Sequence, residues 1–163
     1  MTLKVREADI SDGPALYTRW QALRSYNASV DRRIIPAPVS EPEFIAGLEL
    51  ILARTTSATF VAEDEGVIVG FISGGVEANQ ADRLPEHHVT IGYLYVEPAY
   101  RRMGLGRQLF QAVASWAADR EDVSHFEMTV LAGDTTAEPF WRSLGFLPFI
   151  QRLWAPLSVV DDE

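Results

Sequence analysis

The residues of this sequence best suited to chemistry stand together at Arg101-Arg102-Met103-Gly104-Leu105-Gly106-Arg107, just after an apolar run ending at Val96-Glu97-Pro98. Glycines at 104 and 106 remove side chains where an anion must approach, and a helix starting there offers unpaired backbone N–H groups and partial positive charge. The three arginines strengthen the same field. The chain holds only 14 Lys and Arg against 23 Asp and Glu. Clustering of the scarce cations therefore points to a polyanionic ligand. Two common phosphate loops do not fit. A dinucleotide G-x-G-x-x-G would need glycine where Leu109 stands, and no Gly-Lys-Ser/Thr of a nucleotide-triphosphate loop is present.

The elements that must position this turn follow from pattern and punctuation. Lys4 to Ala8 alternates as a short strand. Ser11-Asp12-Gly13-Pro14 then signals a turn and a helix start, predicting a helix over about 15–26. Ile35-Pro36-Ala37-Pro38 blocks helix, while Phe44, Leu48, Ile51 and Leu52 recur at helical spacing within 43–53. Thr59 to Glu63 and Val67 to Gly74 are strand-rich runs joined by Asp64-Glu65-Gly66, a hairpin signal. The polar stretch 77–86 reads as a loop. Val89 to Val96 is nearly continuous in apolar and aromatic residues, as in a strand covered on both faces. Leu105, Leu109, Val113, Trp116 and Ala117 then share one side of a helix ending near Arg120. A strand over 125–131 follows, then a helix over 137–144 with its cap at Thr136 and Gly145 closing it. Phe146 to Trp154 reads as a last strand, and the acidic tail 158–163 as frayed.

Taken with that order of elements, Arg101-x-x-Gly104-x-Gly106 after a Val-x-Pro strand end resembles the diphosphate-binding motif of the Gcn5-related N-acetyltransferase (GNAT) superfamily. Phe140-Trp141-Arg142-Ser143-Leu144-Gly145-Phe146 is similar to that family's late helix and its Gly-Phe ending. Recognisable sequence is confined to Val89–Arg107 and Asp134–Phe146 with their surroundings. The resemblance implies an α/β fold of mixed α+β type: a central, mixed, largely antiparallel twisted sheet flanked by about four helices, with residues 1–163 as one domain. It implies acetyl-coenzyme A as co-substrate and a primary amine of a small molecule or peptide as acceptor.

By the same resemblance, backbone groups of Leu94 and Val96 hold the pantetheine and the thioester carbonyl, with the Val96 amide as oxyanion donor. Residues Arg101, Arg102, Met103, Gly104, Leu105 and Gly106 hold the diphosphate, with Arg107 an outer contact. Many family members carry a glutamate base where Thr90 stands here, and threonine cannot replace it. His88, two residues upstream and so on the same strand face, is the expected base, with Glu77 as alternative; imidazole titrates at about 6.5 in model peptides. The other reading is that His87 and His88 end a solvated loop. Trp141 replaces a frequent tyrosine acid and Asp134 a frequent asparagine. A thiolate of pKa about 8.5 leaves without obligatory acid help. Tyr93 and Tyr95 are nearby phenols that aromatic packing also explains. Thr90 and Trp141 together motivate an alternative function, an acyl-coenzyme-A-binding module that senses or scaffolds without turnover.

Composition narrows the rest. With no cysteine there is no disulfide, no thiolate nucleophile and no sulfur-ligated zinc; direct attack without an acyl-enzyme and without any metal is the expected route. A net charge of −9 argues against general nucleic-acid binding and favours a cationic acceptor. No apolar run approaches a membrane span, and the charged N-terminus does not read as a signal peptide, so a cytoplasmic location is expected. Tyr17, Trp20, Arg24, Tyr26 and the 31–38 loop border either the acceptor pocket or the core. Ile150, Leu153 and Trp154 within 149–157 belong either to the core or to a homodimer contact through the last strand.

Overall fold

The computed structural model describes residues 1–158, in two compact units, 1–133 and 134 onward. In the first, β1 (Leu3–Glu7) is followed by a 3-10 turn (Ile10–Asp12), α1 (Gly13–Val30) and α2 (Glu41–Leu52). Then come β2 (Ser57–Asp64), β3 (Val67–Ala78), β4 (His87–Val96), a 3-10 turn (Pro98–Tyr100), α3 (Leu105–Ala118) and β5 (Val123–Met128). The strands form one five-stranded sheet in the order β1-β2-β3-β4-β5, antiparallel except for the parallel β4–β5 pair. This is the mixed, largely antiparallel sheet expected from the sequence.

Local chemistry sets the boundaries. The Asp9 and Asp12 side chains cap the 3-10 turn reciprocally, and Pro14 occupies the first turn of α1 as anticipated. Ser40 and Glu43 make a second capping box, which starts α2 two residues before the predicted 43. Glu65 and Gly66 lie at φ 50° and 85°, the left-handed pair a two-residue hairpin turn requires, so Asp64 pairs with Val67. The predicted 77–86 loop is shorter than expected, because β3 runs on to Ala78 and β4 begins at His87.

Each sheet face is covered by different helices. Leu16 of α1 and Leu48 of α2 pack with Val61, Ile68, Phe71 and Tyr95. Across the sheet, α3 buries Leu105, Leu109, Val113 and Ala117, and a Cβ added at Gly70 or Gly74 would lie 3.4 Å from Leu109 or 3.0 Å from Val113. Full burial of such a Leu or Val stabilises by about 1.5–3 kcal/mol. Two irregularities disturb the alternation, one between Ala62 and Glu63 and one opposite Ser73 and Gly74, where Gly92 is the extra residue. After the second, Tyr93 and Tyr95 share the α1/α2 face with Thr90 and His88 rather than the opposite one.

In the second unit α4 (Ala137–Ser143) begins at the predicted Thr136 cap. The capping group is nevertheless Asp134, whose Oδ1 accepts from the Thr136 and Ala137 amides, both at 3.1 Å, and from Thr136 Oγ1 at 2.9 Å. Gly145 at φ 97° closes the helix, and the Phe140 and Phe146 rings each lie 5.1 Å from Trp141. The expected last strand over 146–154 does not form. Pro148 removes a backbone donor and restricts Leu147, and Leu147, Phe149, Ile150, Leu153 and Trp154 are all exposed. The frayed-tail expectation falls, beyond Ser158, outside the described residues.

Candidate active site

The glycine turn has the form the sequence implies, with one addition. Gly104 lies at φ 78° and caps α3 without a side-chain hydrogen bond, and Arg102 also lies in the left-handed region, at φ 62°. Successive amides in such a turn form a concave donor surface that continues into the uncapped first turn of α3. Glycine at 104 was legible as a requirement; the left-handed arginine was not, because side-chain chemistry disfavours it. Tyr100 pins the turn to the hairpin by donating to Asp64 Oδ2 at 2.8 Å. The Thr2 amide, and after it this bond, hold the Asp64 carboxyl below its usual range, and the bond raises the Tyr100 phenol.

The strand leading into the turn is open along one side. Glu97 N–H donates to Val69 O at 2.8 Å, across the β3 ladder. Amides alternate in direction along a strand, so those of Val96 and Leu94 point away from β3. On that other edge β5 pairs with β4 only as far as Ile91. Both amides therefore face a gap in the ladder, beyond the last pairing of β4 with β5 among the described residues. At the turn end of the gap, Arg101 Nε donates to Val96 O at 2.8 Å and its guanidinium lies 5.8 Å from the Tyr95 ring centroid. The bulge at Gly92 fits tightly: a Cβ there would sit 3.1 Å from Ser73 Oγ, which itself accepts from the Tyr93 amide at 3.1 Å.

The face of β4 toward α1 carries an aromatic wall. Trp20 lies edge-on to Tyr93 at 6.5 Å and 4.9 Å from Phe44, with Tyr17 5.5 Å from Phe44. Arg24 stacks on Trp20 at 4.4 Å and donates to Ala37 O and, at 2.9 Å, to Gln21. Tyr17 donates to Val39 O at 2.7 Å, tying the 31–40 segment to α1. These side chains thus belong both to the helix packing and to the surface beside Tyr93. Tyr95 is a core residue, and burial together with the Glu97 charge pushes its phenol up from 10, so it stays a neutral donor.

His88 is buried, at 8% exposure, and is not a solvated loop end. Its Nδ1 is 2.7 Å from Asn79 Oδ1 and 3.0 Å from Glu127 Oε2, and its Nε2 is 2.9 Å from Thr90 Oγ1. Thr90 in turn donates to Glu77 Oε2 at 3.0 Å. His125 on β5 stacks on His88 at 5.5 Å and places Nε2 3.0 Å from the same Glu127 oxygen. His88 and Thr90 share one face as expected, and Glu77, the alternative base, joins them through Thr90, whereas Glu127, His125 and Asn79 were missed. Those three come from other elements, and only the parallel β4–β5 register brings two of them over.

Neither nitrogen of His88 is presented to an incoming amine. Val96 lies eight residues along β4 from His88. At about 3.3 Å per residue that is roughly 26 Å, beyond the reach of a proton transfer bridged by one water. A separate cavity of about 310 Å³, lined by Val89, Ala114, Ala117, Arg120, Val123 and Phe126 among others, lies on the α3 side and does not include the glycine turn.

Comparison with known proteins places this geometry. A search of the curated proteins gave no match. Among solved structures, the tetramutant of the BH1408 protein from Bacillus halodurans superposes with a TM-score of 0.79 at 21% identity, covering 94% of this chain and 99% of that one. Glucosamine-6-phosphate N-acetyltransferase from Arabidopsis thaliana gives 0.67 at 16%, covering 96% and 99%. AAC(6')-Iy, solved with a bisubstrate analog CoA-S-monomethyl-acetylneamine, gives 0.70 at 19%, covering 96% and 98%. These likenesses share the fold. The model of the acetyltransferase (GNAT) family matches residues 20–146, which include the open strand, the glycine turn and α4. The chain therefore belongs to the GNAT acetyltransferase family.

Proposed function

We propose that this protein moves an acetyl group from acetyl-coenzyme A to a primary amine of a small molecule or peptide, by direct attack within a ternary complex. The observation that carries this reading is the open edge of β4 running straight into the glycine turn. The amides from Arg101 to Gly106, with Arg107 outside them, would hold the diphosphate at the helix terminus. The Arg101 contact with Val96 O puts Val96 beside that turn, so we assign Val96 to the pantetheine arm. The next outward amide, Leu94, takes the thioester carbonyl, in place of the Val96 assignment made from sequence. Its N–H bonds more strongly as the carbonyl oxygen becomes an oxyanion, which lowers the barrier rather than merely tightening binding.

The amine nitrogen forms the new C–N bond, the tetrahedral intermediate collapses, and the thiolate leaves. His88 is not carried into this reading as the base, since its nitrogens are engaged and it lies about 20 Å along the strand from Leu94. The amine gives its protons to water in the cleft beside Tyr93. One structural neighbour is named for glucosamine-6-phosphate and another was solved with a CoA-linked acetylneamine analog, which supports a small-molecule amine acceptor here. A cytoplasmic location and a homodimer meeting through the apolar run 149–157 complete the proposal.

Replacing single amides by proline tests it. Leu94→Pro removes an N–H that β3 does not use and should lower kcat about 100-fold or more with coenzyme A affinity kept within a few-fold. Val96→Pro should weaken coenzyme A binding instead. Calorimetry showing no binding of coenzyme A or acetyl-coenzyme A to the parent chain would overturn the reading. The alternative, a non-catalytic acyl-coenzyme-A-binding module, draws on Thr90 and Trp141. Thiol release with any member of a panel of polyamines, aminoglycosides, amino acids and peptides rejects it.

A further inference from the structure

We propose that His88, His125 and Glu127 form a binding site for a divalent transition-metal ion, zinc above all, that clips β4 to β5. The argument starts from where hydrogens can be. Thr90 Oγ1 gives its one proton to Glu77 Oε2 at 3.0 Å, so toward His88 it can only accept. His88 Nε2, 2.9 Å away, therefore carries a hydrogen. A neutral imidazole has one N–H, which leaves a lone pair on Nδ1. That lone pair points at Asn79 Oδ1 at 2.7 Å and Glu127 Oε2 at 3.0 Å. Neither can donate. Asn79 is fixed oxygen-inward because its Nδ2 donates to Pro85 O at 2.6 Å, and Glu127 is a carboxylate.

Electron-pair donors converge here as ligands do around a metal ion, and His125 Nε2 also sits 3.0 Å from the same carboxylate oxygen. One metal ion satisfies all of them together. The ligand atoms of His88, His125 and Glu127 lie within 4.8 Å of one another, the one such group of three among the described residues. Zinc bonds of about 2.0–2.2 Å in a tetrahedron place donors roughly 3.3 Å apart, close to the 3.0 Å separations present. Asn79 Oδ1 or a water supplies the fourth position.

The surroundings match how metal-bound imidazoles are held. His88 has its other N–H taken by Thr90 with Glu77 behind it, and His125 has Ser124 Oγ 3.2 Å from Nδ1. Two imidazoles and one carboxylate suit zinc, cobalt or nickel rather than magnesium or calcium, which prefer oxygen throughout. The site spans the point where β4–β5 pairing is irregular, between His87 and Val89, and lies about 20 Å along β4 from Leu94. It stands independently of the transfer reading.

The test uses tag-free full chain stripped with a chelator, titrated with Co²⁺ by visible absorption and then with Zn²⁺ by displacement. One equivalent of Co²⁺ should give the intense bands of a four- or five-coordinate ion, Zn²⁺ should displace it, and Mg²⁺ should not. His125→Ala and Glu127→Gln, both at partly exposed positions, should each weaken Zn²⁺ at least about 10-fold, and Thr90→Val about 10-fold by loosening the His88 ring. Coenzyme A affinity on the same samples should be unchanged, which separates loss of metal from loss of fold. Absence of saturable one-to-one uptake overturns the proposal. So does uptake that His125→Ala and Glu127→Gln leave intact.

Discussion

Asp12 shows how much one side chain can organise. Its carboxylate receives both terminal nitrogens of Arg6, at 2.8 and 2.9 Å, and the Asp9 amide at 2.9 Å, while Arg6 Nε reaches Glu63 at 2.9 Å. The charged hydrogen bonds from Arg6 outweigh burial and hold Asp12 below its ordinary value of 3.8. A carboxyl depressed on folding contributes stability that is complete above the unfolded pKa and is lost as pH falls through the folded one. Asp12→Asn should therefore cost about 2–3 kcal/mol at neutral pH, since Arg6 keeps partial access to water. It should also flatten the loss of stability below about pH 4, read by urea titration across pH. The sequence marked Asp12 as part of a turn, but its partner Arg6 and the second acid on Arg6, Glu63, come from two neighbouring strands.

Among the elements, the turn from Pro98 to Leu105 stores strain where it presents amides. Arg102 in the left-handed region costs about 1–2 kcal/mol relative to glycine. Arg102→Gly should raise stability by about 1 kcal/mol, read as a higher melting midpoint, and yet weaken coenzyme A binding, more at low salt than at high, because a cation leaves the phosphate surface. Both readouts moving together, up or down, would argue that the residue acts only through the backbone. The motif spacing made this element legible in advance. Its strain, and the bulge at Gly92 that sets which β4 side chains share a face, depend on pairing with β3 and leave no mark in composition.

At the level of the whole molecule, a net charge of −9 coexists with a turn rich in arginine. Long-range attraction should favour a cationic acceptor and be screened within about 8 Å at physiological salt. For a polyamine or aminoglycoside acceptor, kcat/KM should fall several-fold between about 20 and 200 mM salt, whereas a neutral amine should show little change. Steady-state kinetics with the two acceptor types checks this. The run 146–154 reads as a strand by composition alone; among the described residues it joins no ladder, and proline at 148 is a local reason.

By itself the sequence determined the helices and hairpins whose caps and turns are local, the glycine turn and its arginines, and the family they point to. Such features are encoded by neighbours within a few positions, where sterics and hydrogen bonding act directly. Tertiary structure alone decided which amides of β4 face a gap, how far His88 stands from that gap, and that Asn79, His125 and Glu127 surround it. Those outcomes rest on strand register and on a one-residue bulge, which shift whole faces by pairing residues far apart in the chain.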